Sequence, residues 1–218
     1  MKTAVILAAR KEWDSDIPYP LKPYVEGECL MDRALSILRE VGYTHIFIVV
    51  GYRAELFNKY DADDVTIIVN EDYEFTSSMG SLALVTNFIK DDFLLLEGDT
   101  FYEKKLVDQL SQSSFPLCLA MTEETGSGDE CYVETKYNFV SKITKDRHRV
   151  CNVEGELIGV MKLSKEVFDR MLSLYAKSSN PYLNYEYLLM DVTETIERPV
   201  IRFSNLIWGD VDTSEDFK

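Results

Sequence analysis

Asp99 stands just past the apolar run Phe93-Leu94-Leu95-Leu96 and directly after Gly98. In open α/β sheets ligands bind beyond the carboxyl ends of the strands. An aspartate there is a candidate Mg²⁺ ligand, because Mg²⁺ is usually held by one or two carboxylates plus substrate phosphates. It also reads as a turn or N-cap aspartate before a helix. Asp210 and Asp212 flank Val211. Strand alternation puts both on one face, where two carboxylates repel unless a cation lies near. The pair equally suits a solvated edge strand, and Asp212-Thr213-Ser214-Glu215 also reads as a helix cap. At the other end of the chain, Arg10, Lys11 and Lys22 lie in a polar loop punctuated by Pro18, Pro20 and Pro23. A buried strand feeding a cationic loop and then a helix is how an α/β protein opens a phosphate site.

The elements that must position these residues follow from periodicity. Residues 4–9 are a continuous apolar run and predict a central strand buried on both faces. Residues 29–41 carry apolar side chains at helical spacing and end at Gly42. Strands are predicted over 45–50, 64–69, 92–96 and 116–121. Between them fall a short helix over 54–59, a polar loop over 70–81, a helix over 82–89 and a helix over 103–110. This alternation favours a parallel, helix-covered sheet. After Thr122 the texture turns antiparallel. A hairpin is expected over 132–136 and 139–144, a strand over 157–163, and a helix capped by Ser164 running to 176. A second helix over 185–197 and closing strands over 200–204 and 206–212 complete the reading. With no repeat or linker in view, residues 1–218 are expected to form one domain.

Composition narrows the partners. The 218 residues carry a formal net charge of -15, which argues against sequence-independent binding to nucleic acid or to anionic lipid. An anionic small substrate stays compatible where Lys, Arg or a metal focuses positive charge. Cys29, Cys118, Cys131 and Cys151 form no C-x-x-C pair and are expected as free thiols in a reducing cytoplasm. No signal peptide or membrane-spanning stretch is expected.

Taken in order, several motifs resemble the nucleotidyltransferases that join an NTP to a phosphorylated small alcohol or sugar. The opening Leu7-Ala8-Ala9-Arg10, then Leu21-Lys22-Pro23, then the helix from Leu30 follow that family's L-A-A-G-x-G-x-R, P-K and helix. Leu96-Glu97-Gly98-Asp99 resembles its central metal aspartate, and Val211-Asp212-Thr213-Ser214-Glu215-Asp216 its second. Asn70, Tyr73, Thr76-Ser77-Ser78 and Ser81-Leu82, with Gly155-Glu156-Leu157-Ile158-Gly159-Val160-Met161-Lys162-Leu163-Ser164 and Tyr185-Glu186, resemble the cytidylyltransferase branch acting on phosphocholine or 2-aminoethylphosphonate. One departure stands out: Arg10 replaces the first loop glycine, which in the family lets backbone amides approach phosphate.

The resemblance implies a Rossmann-like three-layer α/β/α fold with a mixed, mainly parallel central sheet and a smaller antiparallel subregion on the substrate side. It implies Mg²⁺-dependent transfer of CMP from CTP to a small phosphorylated or phosphonate acceptor, with Asp99, Asp212 and Asp210 at the metal. Lys22 and Arg10 would stabilise charge during transfer. Leu7, Ala8, Ala9, Arg10, Lys11, Ser77, Ser78, Gly80, Ser81 and Gly98 would surround the nucleotide. The tyrosine-rich stretch 180–187 and Trp208 suit an ammonium through aromatic faces and carboxylates, so Glu156, Tyr185, Glu186 and Trp208 are candidates for the acceptor. A sugar-1-phosphate nucleotidyltransferase and a nucleotide-binding regulator without turnover share much of this reading. A D-x-D glycosyltransferase is a third alternative. Homodimer formation is left open.

Overall fold

The structure is a computed structural model that describes residues 2–25, 27–128, 130–211 and 213. β1 (Lys2–Ala8) is the centre of the sheet. It pairs in parallel with β4 (Tyr43–Val50), and β4 pairs in parallel with β5 (Val65–Val69). On its other edge β1 pairs in parallel with β6 (Phe93–Glu97). The short hairpin β2 (Pro23–Val25) and β3 (Glu28–Cys29) precedes helix α1 (Leu30–Val41). α1 opens on a capping box in which Asp32 accepts from the Cys29 amide, and Gly42 closes it in the left-handed conformation, φ 90°. Asp32 also accepts from Tyr60 Oη at 2.8 Å, which ties the helix start to the 3₁₀ turn Ala54–Tyr60.

Alternation along β1 divides the core into two layers. Ala4, Ile6 and Ala8 point toward α1 and α3 (Lys104–Gln112), with Leu35, Leu38, Leu106 and Leu110 in one cluster. Val5 and Leu7 point the other way, toward α2 (Ser78–Ala83), α4 (Lys165–Tyr175) and α5 (Tyr185–Val192), among Met79, Leu82, Phe168 and Leu189. The three-layer fold expected from the sequence is therefore present, with a mixed sheet of nine strands among the described residues.

The antiparallel half begins earlier than the pattern of apolar runs indicates. β8 (Cys118–Thr122) does not extend the parallel sheet from β6. The long strand β11 (Gly155–Leu163) inserts between them, antiparallel to both, and its first two residues pair instead with β9 (Tyr132–Lys136). β9 forms the expected hairpin with β10 (Phe139–Thr144), and β12 (Val200–Arg202) pairs in parallel with β8. Residues 206–212 are expected as a closing strand. The strand found there, β13 (Trp208–Asp210), stands outside the main sheet and pairs antiparallel with β7 (Thr100–Tyr102), directly after Asp99.

Two helices differ from their periodicity. α2 starts at Ser78 rather than at 82, because Asn70 anchors the preceding turn: its amide donates to Thr76 Oγ1 and Ser81 Oγ, each at 3.0 Å. α5 stops at Val192 rather than 197, where Thr193 bonds back to the Leu189 carbonyl through both amide and hydroxyl. None of the described helices is long and apolar enough to cross a membrane.

Candidate active site

A cleft of about 590 Å³ opens at the carboxyl ends of β1, β5 and β6. One wall is the loop after β1. Leu7 and Ala9 line the cleft, whereas Ala8 turns into the core. Gly98 lies so close to β1 that a Cβ there would meet the Leu7 carbonyl at 2.9 Å. That closeness is what the glycine before Asp99 supplies: its amide donates to Leu7 O at 2.8 Å and brings the two strand ends together.

Arg10 lies across this edge. Its Nη2 donates to the Val211 carbonyl at 3.0 Å and sits 3.4 Å from Asp99 Oδ2, while Nε is 3.6 Å from Glu12 Oε2. Its guanidinium stacks over the Tyr19 ring at 5.8 Å, and Lys22 Nζ lies at the same distance from that ring. Lys22 is not among the residues that line the cleft. Lys11 reaches across the cleft mouth to pair with Glu74 and lies over the exposed ring of Trp13. Buried Glu12 has its carboxyl pushed up to about 7 by burial, with Arg10 opposing the shift.

The opposite wall is the turn into α2. Thr76, Ser77, Ser78 and Ser81 all line the cleft. Ser77 Oγ donates to Asn184 Oδ1, and Ser78 Oγ accepts from the Tyr185 amide at 3.0 Å, so this turn and the start of α5 hold one another. Gly80 does not face the cleft. It packs against Thr76, whose Cβ would stand 2.6 Å from an added methyl.

The floor is acidic. Pairing of β13 with β7 places Asp210 opposite Thr100, whose hydroxyl donates to Asp210 Oδ1 at 2.6 Å. The Val211 amide donates to the Asp99 carbonyl at 3.0 Å. Asp99 and Asp210 thus face one cleft although 111 positions separate them. Asp212 lies outside the described residues. No group of three or more metal-ligating side chains occurs among the described residues. Two carboxylates converging where a triphosphate would lie still suit Mg²⁺, which takes its remaining ligands from phosphate and water.

Behind the floor lies a chamber of about 50 Å³ bounded by Glu97, Glu156, Gly159, Tyr185 and Glu186, which shares Glu97, Lys145, Glu186 and Asp210 with the cleft. Tyr185 Oη donates to Glu97 Oε1 at 2.8 Å. Burial, then Glu186, Asp99 and Asp210, raise Glu97 well above the ordinary carboxylate range, and burial raises Glu186. Glu156 is committed elsewhere: its Oε2 accepts from the amide and the hydroxyl of Thr125, both at 2.9 Å. Trp208, expected at the acceptor, packs instead against the α1/α3 side of the core.

Glu97, Lys145, Asn184 and Trp13 escaped the sequence reading. Glu97 carried a usable signal, because two positions before Asp99 on a strand end is the same face. Lys145 had none, since it lies just beyond a hairpin strand whose neighbours only the fold defines.

Several known proteins share parts of this chain's sequence or its fold. A CMP-5'-(3-aminopropyl)phosphonate synthase of Streptomyces rubellomurinus is 31% identical over 118 residues, covering 50% of this chain and 19% of that protein. A D-glycero-alpha-D-manno-heptose 1-phosphate guanylyltransferase of Campylobacter jejuni is 24% identical over 111 residues, 50% of this chain and 49% of that protein. The chain thus spans less than half the length of each of these curated relatives. Among solved structures, the inositol-1-phosphate CTP transferase of T. maritima superposes with a TM-score of 0.80 at 21% identity, over 99% of this chain and 91% of that one. A CTP:phosphocholine cytidylyltransferase of Streptococcus pneumoniae gives 0.79 at 17% identity, over 100% and 96%. Those two likenesses establish the fold. Residues 19–178 match the profile of the MobA-like NTP transferase domain, and the chain belongs to that family.

Proposed function

We propose that this protein transfers a nucleotidyl group, cytidylyl in the first instance, from an NTP to the phosphate or phosphonate oxygen of a small acceptor. The observation that carries this reading is the gathering of two cations, Arg10 and Lys11, and two carboxylates, Asp99 and Asp210, in one cleft, with Arg10 3.4 Å from Asp99. Such a cleft suits a triphosphate at its mouth and a metal at its floor. The aminopropylphosphonate synthase supports the choice of a cytidylyl donor and a phosphonate-type acceptor.

The acceptor oxygen attacks the α-phosphorus in line. A new P–O bond forms, the bridging bond to the β-phosphate breaks, and pyrophosphate leaves. The protein does little covalent chemistry in such a transfer; positioning and charge neutralisation carry it. Asp99 and Asp210 would hold Mg²⁺, which when bound neutralises charge on the α-phosphate. Arg10 and Lys11 take the leaving phosphates with their side chains, a task that backbone amides perform where a glycine loop is present. Lys22, beside the same Tyr19 ring, adds to the positive potential of that wall. Lys145 stands at the boundary of cleft and chamber and orients the acceptor phosphate. The serine wall, Ser77, Ser78 and Ser81, borders ribose and base.

Asp99→Ala should abolish pyrophosphate release from CTP with phosphorylated and phosphonate acceptors in the presence of Mg²⁺. Turnover at the wild-type rate would end this mechanism.

A further inference from the structure

The chamber behind the cleft floor contains a carboxylate with an unmet need. Glu186 is 9% exposed, faces both the cleft and the chamber, and its Oε2 has no hydrogen-bond partner. Leaving a buried charged acceptor unpaired is costly, so a group that supplies donors there is strongly favoured. The neighbouring carboxylate, Glu97, takes one hydrogen bond from Tyr185. Gly159 faces Glu97: a side chain at that position would bring its Cβ to 2.3 Å from Glu97 Oε2. The glycine therefore makes room for the Glu97 side chain at the chamber wall.

Size and lining then select the occupant. About 50 Å³ holds one or two water-sized groups, and an –NH₃⁺ is of that size. A trimethylammonium is several times larger. It also has no N–H to donate and relies on aromatic faces. The lining offers the carboxylates of Glu97, Glu156, Glu186 and Asp210 with one cation, Lys145, at the boundary with the cleft, and its aromatic residue, Tyr185, is bonded to Glu97 through its hydroxyl. A magnesium ion would need waters or phosphate oxygens beside the two carboxylates, and about 50 Å³ leaves little room for that shell.

We infer that the acceptor carries a primary ammonium, that it seats in this chamber against Glu186 and Glu97, and that the chamber excludes a quaternary ammonium. The inference rests on the cleft being the acceptor site of the function proposed above. Glu186 and Glu97 act here in specificity: they select the head group, while its phosphate or phosphonate end lies toward Lys145 and Asp210. Glu156 also lines the chamber, with its Oε2 held by the amide and hydroxyl of Thr125.

The test is a binding series that needs no turnover. Isothermal titration of the full chain with 2-aminoethyl phosphate, its N,N,N-trimethyl analogue and 2-hydroxyethyl phosphate should rank the primary amine first. Its margin over either analogue should be about tenfold or more, the worth of one charge-assisted hydrogen bond. Glu186→Gln, with its fold checked by thermal melting, should remove most of that margin and leave CTP affinity unchanged. Equal or tighter binding of the trimethyl compound to the wild type overturns the inference. So does a Glu186→Gln variant that weakens all three ligands alike. Pyrophosphate release, measured in parallel, separates the two claims. Amine-selective binding without turnover leaves the chamber assignment standing and removes the proposed reaction; turnover without amine preference does the reverse.

Discussion

Arg10 Nη2 stands 3.4 Å from Asp99 Oδ2 and also grips the Val211 carbonyl, so one guanidinium links the loop after β1, the end of β6 and the returning strand β13. The residue that takes the place of a phosphate-binding glycine thus supplies a side-chain cation at the same edge. Arg10 and a metal ion would compete for Asp99 until a triphosphate draws the guanidinium away. Arg10→Ala is therefore expected to lower kcat/KM for CTP by about 10²-fold, the usual cost of removing one positioned charge donor. The same variant should bind Mn²⁺ more tightly than wild type when no nucleotide is present. Steady-state kinetics and metal titration would show the two effects with opposite signs.

Lys11 and Glu74 pair across the mouth of the cleft from two different loops. Both side chains are well exposed, so the pair contributes little to stability. Its importance lies in which anion Lys11 faces. Lys11→Ala should raise KM for the nucleotide several-fold and leave the melting temperature almost unchanged. Glu74→Gln, which releases Lys11, should lower KM or leave it alone. A rise in KM for Glu74→Gln would show that the bridge itself builds the site.

Glu12 gives the folded state a pH dependence. Its folded value of about 7 lies above the 4.5 of an unperturbed glutamate, and burial is the main cause. A carboxyl raised in this way stabilises the fold fully below the unfolded value, and the contribution is lost as pH rises through the folded value. Glu97 and Glu186 shift in the same direction. Chemical denaturation should therefore show stability falling between about pH 5 and pH 7. Glu12→Gln should flatten part of that slope. An unchanged slope in Glu12→Gln would assign the dependence to the chamber carboxylates instead.

Asn70 is 4% exposed and makes three hydrogen bonds, donating to Thr76 and Ser81 and accepting from the Asp72 amide. Asn70→Ala leaves these partners unmet and should cost about 2–3 kcal/mol, read from the denaturation midpoint. Because the same bonds fix where α2 begins, the variant should also raise KM for the nucleotide even at temperatures where it stays folded. Loss of stability with an unaltered KM would limit Asn70 to a purely structural part.

Much of the fold was legible because it rests on local rules. The apolar runs of β1, β4 and β6 had to be buried strands. Gly42 had to end α1, and Ser164 had to cap α4, where its hydroxyl accepts from the Val167 amide at 3.2 Å. Asp99 was legible as a candidate because its position at a strand end is written in the residues beside it. Arg10, Lys11, Ser77, Ser78, Ser81, Asp210 and Glu186, named from the sequence as candidates, all line the cleft. Ala8, Lys22, Gly80, Gly98 and Trp208 were named with them and do not line it. For Ala8 and the two glycines the reason is packing: a residue beside a ligand loop in sequence turns inward whenever neighbouring backbone comes close.

The sequence by itself determined which segments are strands and helices, where several of them stop, and that carboxylates and cations of the kinds a phosphate site needs are present. Only the tertiary structure decided which of them meet. That Asp210 returns to Asp99 depends on β13 leaving the main sheet for β7, and that Glu186 faces Glu97 depends on α5 crossing the end of β6. Periodicity reports which face of its own element a residue occupies. Register and crossing between segments about 90 to 110 positions apart are set by the packing of the whole core, and no local pattern encodes them.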